Sequence, residues 1–253
     1  MHKGMKRDEF IKKHTVFPRS FLREVAVMLS YPSIEGKKMG DGINSFFEEC
    51  FKIQTNVSSD ESFGPSKINT IEQNLSFNFD FDSCSLVVDA SKDYISFADT
   101  VYRKTRPLAE FAETVAHGFG VLSMRKDNVW VFPASNPEEI VHEGLKLIIS
   151  PDMLERLPEI SKVSNSGSWC LSTECEPIFK DENEIGVKGL IRLILEYSEN
   201  DGLACHVVFE AKTTGNVDYA NFRDKLIRLN AVLYNMFIRT VSDKVLELMI
   251  EDK

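Results

Sequence analysis

The alternation of apolar and polar residues from Asn74 to Phe81 constrains the fold of this chain more than any other feature of its sequence. Leu75, Phe77, Phe79 and Phe81 are separated by single polar residues. Successive side chains of a strand point to opposite faces, so this pattern predicts a strand with one apolar face and one solvated face. A strand of this kind belongs in an antiparallel sheet that helices cover on one side.

Other segments carry strand and helix patterns that follow one another in a repeating order. The predicted strands lie around residues 25–31, 74–81, 85–89, 94–98, 129–132, 169–179, 186–198 and 203–213. The predicted helices lie around residues 6–14, 39–51, 107–122, 136–149, 151–157, 218–237 and 243–249. We also expect a strand pair that is joined at Lys126, Asp127 and Asn128, and we expect Asp218 to be the N-cap of the long helix.

These elements predict the α+β class, with antiparallel β-meanders that are each followed by an amphipathic helix, in two pseudo-repeated βββα halves. The first half covers residues 1–134 in the order βαβββαβ, and the second covers residues 135–253 in the order ααβββα. The duplication rests on the order of the elements and not on identical residues. We expect the halves to form one continuous structural unit, because 253 residues suit one large domain.

The charge of the chain restricts its partners. Its 39 acidic and 30 basic side chains give a net charge of −9. This charge repels a nucleic-acid backbone unless the basic residues lie together on one face. No stretch approaches the roughly 20 apolar residues of a membrane span. We therefore expect neither a nucleic acid nor a membrane as the partner.

The cysteines indicate the compartment. Five cysteines at irregular spacing, in a chain long enough to fold without disulfides, favour a reducing environment. The first residues are polar and lack the apolar segment of a signal peptide, so we expect a cytoplasmic protein. We expect no metal and no cofactor. Cys170 and Cys175 lack the close pairing of a structural zinc site, and Cys205 and His206 point to opposite faces of one strand.

A Glu-x-Lys element in the strand around residues 203–213 suggests one enzyme class. Glu210 and Lys212 resemble the Glu-x-Lys element of the PD-(D/E)xK nucleases, in which the acid holds a divalent cation and the lysine activates water. The resemblance implies a second acid on a neighbouring strand, and Glu196 is the candidate. A metal-dependent nuclease or phosphodiesterase that uses these three residues is the alternative function.

The strand register argues against this alternative. If residues 200–202 form the hairpin loop, the odd-numbered apolar residues of both strands share one face. This register places Arg192 opposite Glu210 and Glu196 opposite His206, which are ordinary stabilising charge pairs. Glu196 would lie about 13 Å from the partner position of Glu210, too far for two carboxylates to share one cation. We therefore predict a solvated sheet face and no catalytic residue.

Three stretches of the chain together resemble a known family. They are residues 23–32, residues 85–125 and residues 222–248. The family is an uncharacterised, sporadically distributed group of bacterial proteins of similar length. Its first strand is VVEV-like, and its long C-terminal helix ends in a Leu-x-x-x-Phe-x-x-Thr-like pattern. This chain departs from it at Asn230, where the family has histidine, and around Trp130, where the family has a Leu-Arg-Tyr strand. The patchy distribution implies an accessory or defence-associated role in bacteria.

Regular patterning without a convergent polar cluster favours a non-catalytic binding or interaction module over an enzyme. We expect an unidentified protein partner or a small ligand. We also expect homodimerisation if the outer face of the sheet is apolar. Leu190, Ile194 and Val208 share that face in the predicted register and form a small apolar patch.

Overall fold

The fold is a single sheet with helices, as seen in a computed structural model that describes residues 10, 21–52, 66–69, 75–90, 101–132, 144–155, 169–175, 186–198 and 202–250. The strands are β1 Leu22–Ser30, β2 Ser66–Asn69, β3 Leu75–Asp80, β4 Ser83–Asp89, β5 Leu122–Phe132, β6 Trp169–Cys175, β7 Val187–Ser198 and β8 Gly202–Thr213. The helices are α1 Gly36–Phe51, α2 Arg103–Ala116, α3 Pro151–Leu154, α4 Phe222–Thr240 and α5 Asp243–Ile250. The predicted strand around 94–98 and the predicted helix around 6–14, apart from residue 10, lie outside the described residues.

The eight strands form one sheet in the order β2-β3-β4-β1-β5-β8-β7-β6, and every neighbouring pair is antiparallel. The α+β prediction is confirmed. Each half contributes a three-stranded meander, and β1 and β5 join the two meanders at the centre. The sheet therefore continues across the expected boundary at residue 134. The pseudo-repeat and the two halves stay predictions.

Strand β5 corrects the expected strand pair around residues 126–128. It is one continuous strand that pairs with β1 on one side and with β8 on the other. Lys-Asp-Asn has turn propensity, but hydrogen bonds to two neighbouring strands outweigh this local preference. Helix α2 also differs from its prediction, because it begins before Pro107 and ends at Ala116. His117 and Gly118 have φ values of 59° and 121°, and this left-handed pair ends the helix before Phe119.

The core lies between the helices and one face of the sheet. Leu75, Phe77 and Phe79 are 0 to 2% exposed, which confirms the predicted alternation in β3. The ring of Phe46 on α1 lies at the centre of an aromatic cluster. Its ring centroid is 5.2–5.8 Å from those of Phe47, Phe51, Phe77, Phe79 and Phe111, mostly edge to face. In the second half Phe237 of α4 packs against Phe209 of β8 at 5.9 Å.

The start of α4 corrects the predicted cap. The helix begins at Phe222, so Asn221 and not Asp218 precedes it. The backbone N–H of Asn221 donates to Asp218 Oδ1 at 2.8 Å, and the N–H of Asp218 donates to Asn221 Oδ1 at 3.3 Å. Asp218 therefore closes a turn that leads into the helix. Of the described helices, none has both the length and the apolar composition to cross a membrane.

Candidate functional site

The hairpin of β7 and β8 confirms the predicted parity and corrects the predicted register. Leu195 pairs with Cys205 and Leu193 pairs with Val207, whereas the prediction paired Leu195 with Val207. Gly202, with a φ of 85°, already belongs to the ladder, so the turn falls earlier than expected. A shift by two residues along the strand leaves every side chain on its predicted face. Cys205 is 1% exposed on the covered face, as predicted.

Arg192 and Glu210 form an ion pair across this hairpin. Arg192 Nη2 lies 2.7 Å from Glu210 Oε2. The predicted contact is confirmed, but it is diagonal, because the Cα partner of Glu210 is Leu190 and that of Arg192 is Val208. Long side chains reach such diagonal neighbours in a twisted sheet. Both side chains keep part of their surface in water, at 37% and 24%.

His206 lies between two carboxylates on the same face. Its Nδ1 is 3.0 Å from Asp127 Oδ2 on β5, and its Nε2 is 3.7 Å from Glu196 Oε2 on β7. The predicted proximity of Glu196 and His206 is confirmed, again along a diagonal, because Ile194 is the Cα partner of His206. The side chains of His206 and Asp127 are 14% and 16% exposed, and that of Glu196 is 59% exposed. Asp127 is therefore the carboxylate that fixes the histidine ring.

A third ion pair joins β5 to β1. Arg125 Nη2 donates to Glu24 Oε1. The Cα partners of Arg125 are Ala26 on β1 and Glu210 on β8. The guanidinium thus stands between two strands that each carry a carboxylate. It binds Glu24, because Glu210 is held by Arg192.

The structure does not bring together the three residues of the nuclease alternative. Glu210 and Lys212 share one face of β8. Glu196, however, lies six residues along β7 from Leu190, the Cα partner of Glu210, which is about 20 Å at the rise of a strand. In the described part of the chain, no three His, Cys, Asp or Glu side chains are grouped so that they would hold a metal ion.

The face that carries these ion pairs is turned away from the described helices, and we call it the open face. It comprises the outward side chains of β1, β5, β8 and β7. Its acidic members are Glu24, Asp127, Glu196 and Glu210, and its basic members are Arg125, Lys188, Arg192 and Lys212, with His206 beside them. These charges balance, although the whole chain carries −9. The negative excess therefore lies elsewhere on the protein.

Apolar side chains lie among the ion pairs of the open face. Met28 is 42% exposed and Val131 is 61% exposed. The residues of the predicted patch share this face, with Leu190 and Ile194 half-buried and Val208 only 6% exposed. The Cα partners of Val208 are Asp127 on β5 and Arg192 on β7. The accessible apolar surface is therefore provided mainly by the other four residues.

One polar contact on the covered face was not found from the sequence. Lys126 of β5 points toward α4, and its Nζ is 2.6 Å from Asn230 Oδ1. Burial lowers the pKa of this amine to about 8. The sequence does contain a pattern that predicts this burial. Leu122, Met124 and Trp130 are buried at a period of two, and residue 126 falls on the same face of the strand. The expected turn at residue 126 concealed it.

The comparisons with known proteins gave no family and no relative. No protein-family model matches the sequence. No curated protein matches it either. Function is therefore argued from the geometry of this chain.

Proposed function

We propose that the chain is a non-catalytic binding module, and that its open face binds the open face of a second copy of the same chain. The observation that carries the proposal is the contrast between the two sides of the sheet. The described contacts of α1, α2 and α4 with the sheet lie on the covered side. Met28 and Val131 stay exposed on the other side.

The distribution of charge favours a second copy as the partner. Two chains of net charge −9 repel each other over most of their surfaces. The open face is the exception, because its four carboxylates and four basic side chains balance. Arg192 and Glu196 are accessible enough to exchange their partners for those of another copy. Complementary charges at the rim of an interface orient the partners and exclude wrong ones.

The size of the face is sufficient for a dimer. The four neighbouring strands of the open face at a spacing of roughly 4.8 Å span about 19 Å, and strands of about ten residues are about 33 Å long. A standard interface buries about 800 Å² on each partner. The open face offers roughly 600 Å², the low end of the range for such interfaces. Its apolar residues lie between charged ones, as in many protein interfaces.

Sedimentation velocity over a range of concentrations tests the proposal. We expect a dimer for the wild type. Val131→Arg and Met28→Arg add a charge to the open face and should each weaken the dimer by about tenfold or more. Leu248→Arg on α5 is the matched control, because Leu248 is 37% exposed and lies outside the sheet. A wild-type monomer at roughly 100 µM, or a dimer that Val131→Arg leaves intact, would contradict the proposal.

We also propose that this module works in the cytoplasm of a bacterium as an accessory or defence-associated protein. The thiols of Cys50, Cys84 and Cys205 are free, as is usual in a reducing compartment. The first strand and the long C-terminal helix resemble a sporadically distributed bacterial family. This resemblance supports the bacterial origin and the accessory or defence-associated role. Fractionation of cells that express the protein at its natural level tests the location. Recovery outside the cytoplasmic fraction would contradict it.

A further inference from the structure

Lys126 lies in an unusual place for a lysine, on the side of the central strand that faces the helices. Its Cα partners are Val25 on β1 and Phe209 on β8, and both of these side chains are buried. Asn230 of helix α4 contacts the amine. The side chain keeps some exposed surface, so the amine lies at the margin of the core and not at its centre.

The amine lacks a counter-charge among the described residues. Its hydrogen-bond partner there is the amide oxygen of Asn230, at 2.6 Å. An ammonium group has three donors, so this bond leaves two of them for another acceptor. A partly desolvated cation without a carboxylate destabilises the fold, and natural proteins seldom keep one without a use. The carboxylate of Asp127, the next residue along β5, points to the opposite face and is bound by His206.

A donor without an acceptor among the described residues lies elsewhere on the same stripe of β5. Trp130 is 8% exposed, and its indole N–H has no hydrogen-bond partner. Asn128 lies between Lys126 and Trp130, and its amide reaches Val207 O only at 3.5 Å. Buried donors without an acceptor are rare in folded proteins. The unmatched indole lies four residues from Lys126, about 13 Å at the rise of a strand, so it is separate from the surroundings of the amine.

The neighbouring surface of α4 indicates the rest of the ligand. Ile227 lies one turn before Asn230 and is 45% exposed. Arg223 lies one turn further back, with its guanidinium carbon 5.5 Å from the ring centroid of Tyr102. At helical spacing these three residues share one face of α4. An apolar body of a ligand can lie on Ile227 while its acidic group reaches Lys126.

We propose that Lys126 and Asn230 form a binding site for a small organic anion, whose carboxylate or phosphate group accepts hydrogen bonds from the Lys126 ammonium and the Asn230 amide. The ligand supplies a counter-charge that no described residue gives to this amine. The site lies on the side of the sheet opposite the open face, so it does not depend on dimerisation. Binding links α4 to the central strand and stabilises the folded chain.

Thermal unfolding with two probes, inorganic phosphate and benzoate, tests the site at pH 7. Wild-type protein should gain several degrees at saturating probe. Lys126→Met should lose this gain, and Lys244→Met, which removes an exposed lysine of α5 outside the sheet, should keep it. The comparison is needed because phosphate stabilises most proteins by exclusion from their surface. A larger effect of benzoate indicates a carboxylate ligand, and a larger effect of phosphate indicates a phosphorylated one.

Asn230→Asp gives a second test, which can be used even if Lys126→Met does not fold. It places a carboxylate beside Lys126, so the variant should melt at a higher temperature than the wild type without probe. It should also bind both probes at least about tenfold more weakly, because its own carboxylate occupies the site. The proposal is overturned if neither probe shifts the wild type at tens of millimolar. Equal shifts in Lys126→Met and Lys244→Met, or unchanged binding by Asn230→Asp, would also overturn it.

The pH dependence of binding separates this site from nonspecific effects. Val25, Phe209 and Asn230 face the amine from β1, β8 and α4, and none of them titrates. The charge of Lys126 therefore controls the affinity. Binding should be strong at pH 7 and should weaken at least tenfold by pH 10. An affinity that stays constant over this range would contradict the role of the ammonium.

Discussion

Arg192 and Glu210 lie on neighbouring strands without facing each other, and their side chains still form an ion pair of 2.7 Å along the diagonal. The acid of the Glu-x-Lys element is thus already bound by an arginine. Its former candidate partner, Glu196, is associated with His206 instead. Three contacts of this kind join neighbouring strands of the open face: Arg192 with Glu210, Arg125 with Glu24, and His206 with Asp127.

A double-mutant cycle should detect this pair. Arg192→Ala and Glu210→Ala should each lower the free energy of unfolding by about 0.5 to 1 kcal/mol, the range of accessible ion pairs. The double variant should lose less free energy of unfolding than the two single variants lose together, because the second substitution has no ion pair left to break. Urea unfolding at low salt measures the effect. Strict additivity of the two substitutions would show that the ion pair makes no contribution in solution.

Lys126 should make the stability of the protein depend on pH. The pKa of its amine is lowered by burial from 10.5 to about 8 in the folded protein. Below pH 8 the amine is charged in both states, so the cost of burying the charge is present in full. Between pH 8 and 10.5 the folded amine loses its proton first, and the cost disappears. The gain in stability over this range is at most roughly 3 kcal/mol.

Comparison with Lys126→Met isolates this effect. Burial raises the pKa values of Cys84, Cys205 and Tyr31, so their ionisation destabilises the folded state as the pH rises above 9. These groups are common to both proteins and cancel in the difference. At pH 7 the methionine variant should be more stable by about 1 to 2 kcal/mol, and the difference should shrink by pH 10. A difference that grows with pH would contradict the assignment.

The described thiols should differ in reactivity. Burial raises the pKa of Cys205 to about 12, with a smaller contribution from Asp127, and burial also raises that of Cys84. The thiolate is the reactive form, so both should react only after local unfolding. Cys50 is exposed and should react first. Mass-mapped labelling at pH 8 should find Cys84 and Cys205 at least about a hundredfold slower than in the urea-unfolded chain. Labelling of Cys205 as fast as Cys50 would contradict its burial.

The close contact of α1 and α2 depends on a glycine. A Cβ at residue 42 would lie 2.8 Å from Val115 Cγ2 and 3.2 Å from Phe111 Cε2. Gly42→Ala should therefore lower the free energy of unfolding by about 1 to 3 kcal/mol, even though alanine favours the helix by about 0.5 to 1 kcal/mol. In a Val115→Ala background the substitution should cost less, because the clashing methyl groups are gone. An equal cost in both backgrounds would show that the contact with Val115 does not cause the loss of stability.

Local patterns predicted most of the fold. The period of two identified β3, β7 and β8, and helical spacing identified α1 and the buried residues of α5. The errors arose where distant strands decided the outcome. The segment around Lys126 has the composition of a turn, and its strand conformation depends on pairing with β1 and β8. The order of the strands in the sheet is likewise a long-range property that no short segment contains.

The open face could be predicted only in part. Parity alone placed Arg192 and Glu210 on one face, because it depends on which residues are apolar. Their diagonal contact depends on the twist of the sheet and on the register of the two strands. A shift of the hairpin turn by one residue changes that register. The contact of Lys126 with Asn230 joins residues that are 104 positions apart. It depends on how α4 lies across β5, and no residue pattern within α4 specifies that.

Native mass spectrometry of gently purified protein tests the central claim most directly. The chain has a mass of 28.8 kDa, so a second copy on the open face predicts a species of twice that mass, which Val131→Arg converts to the single mass. A wild-type protein that stays at the single mass at micromolar concentration, with or without Val131→Arg, would contradict the claim that the open face binds another copy of this chain.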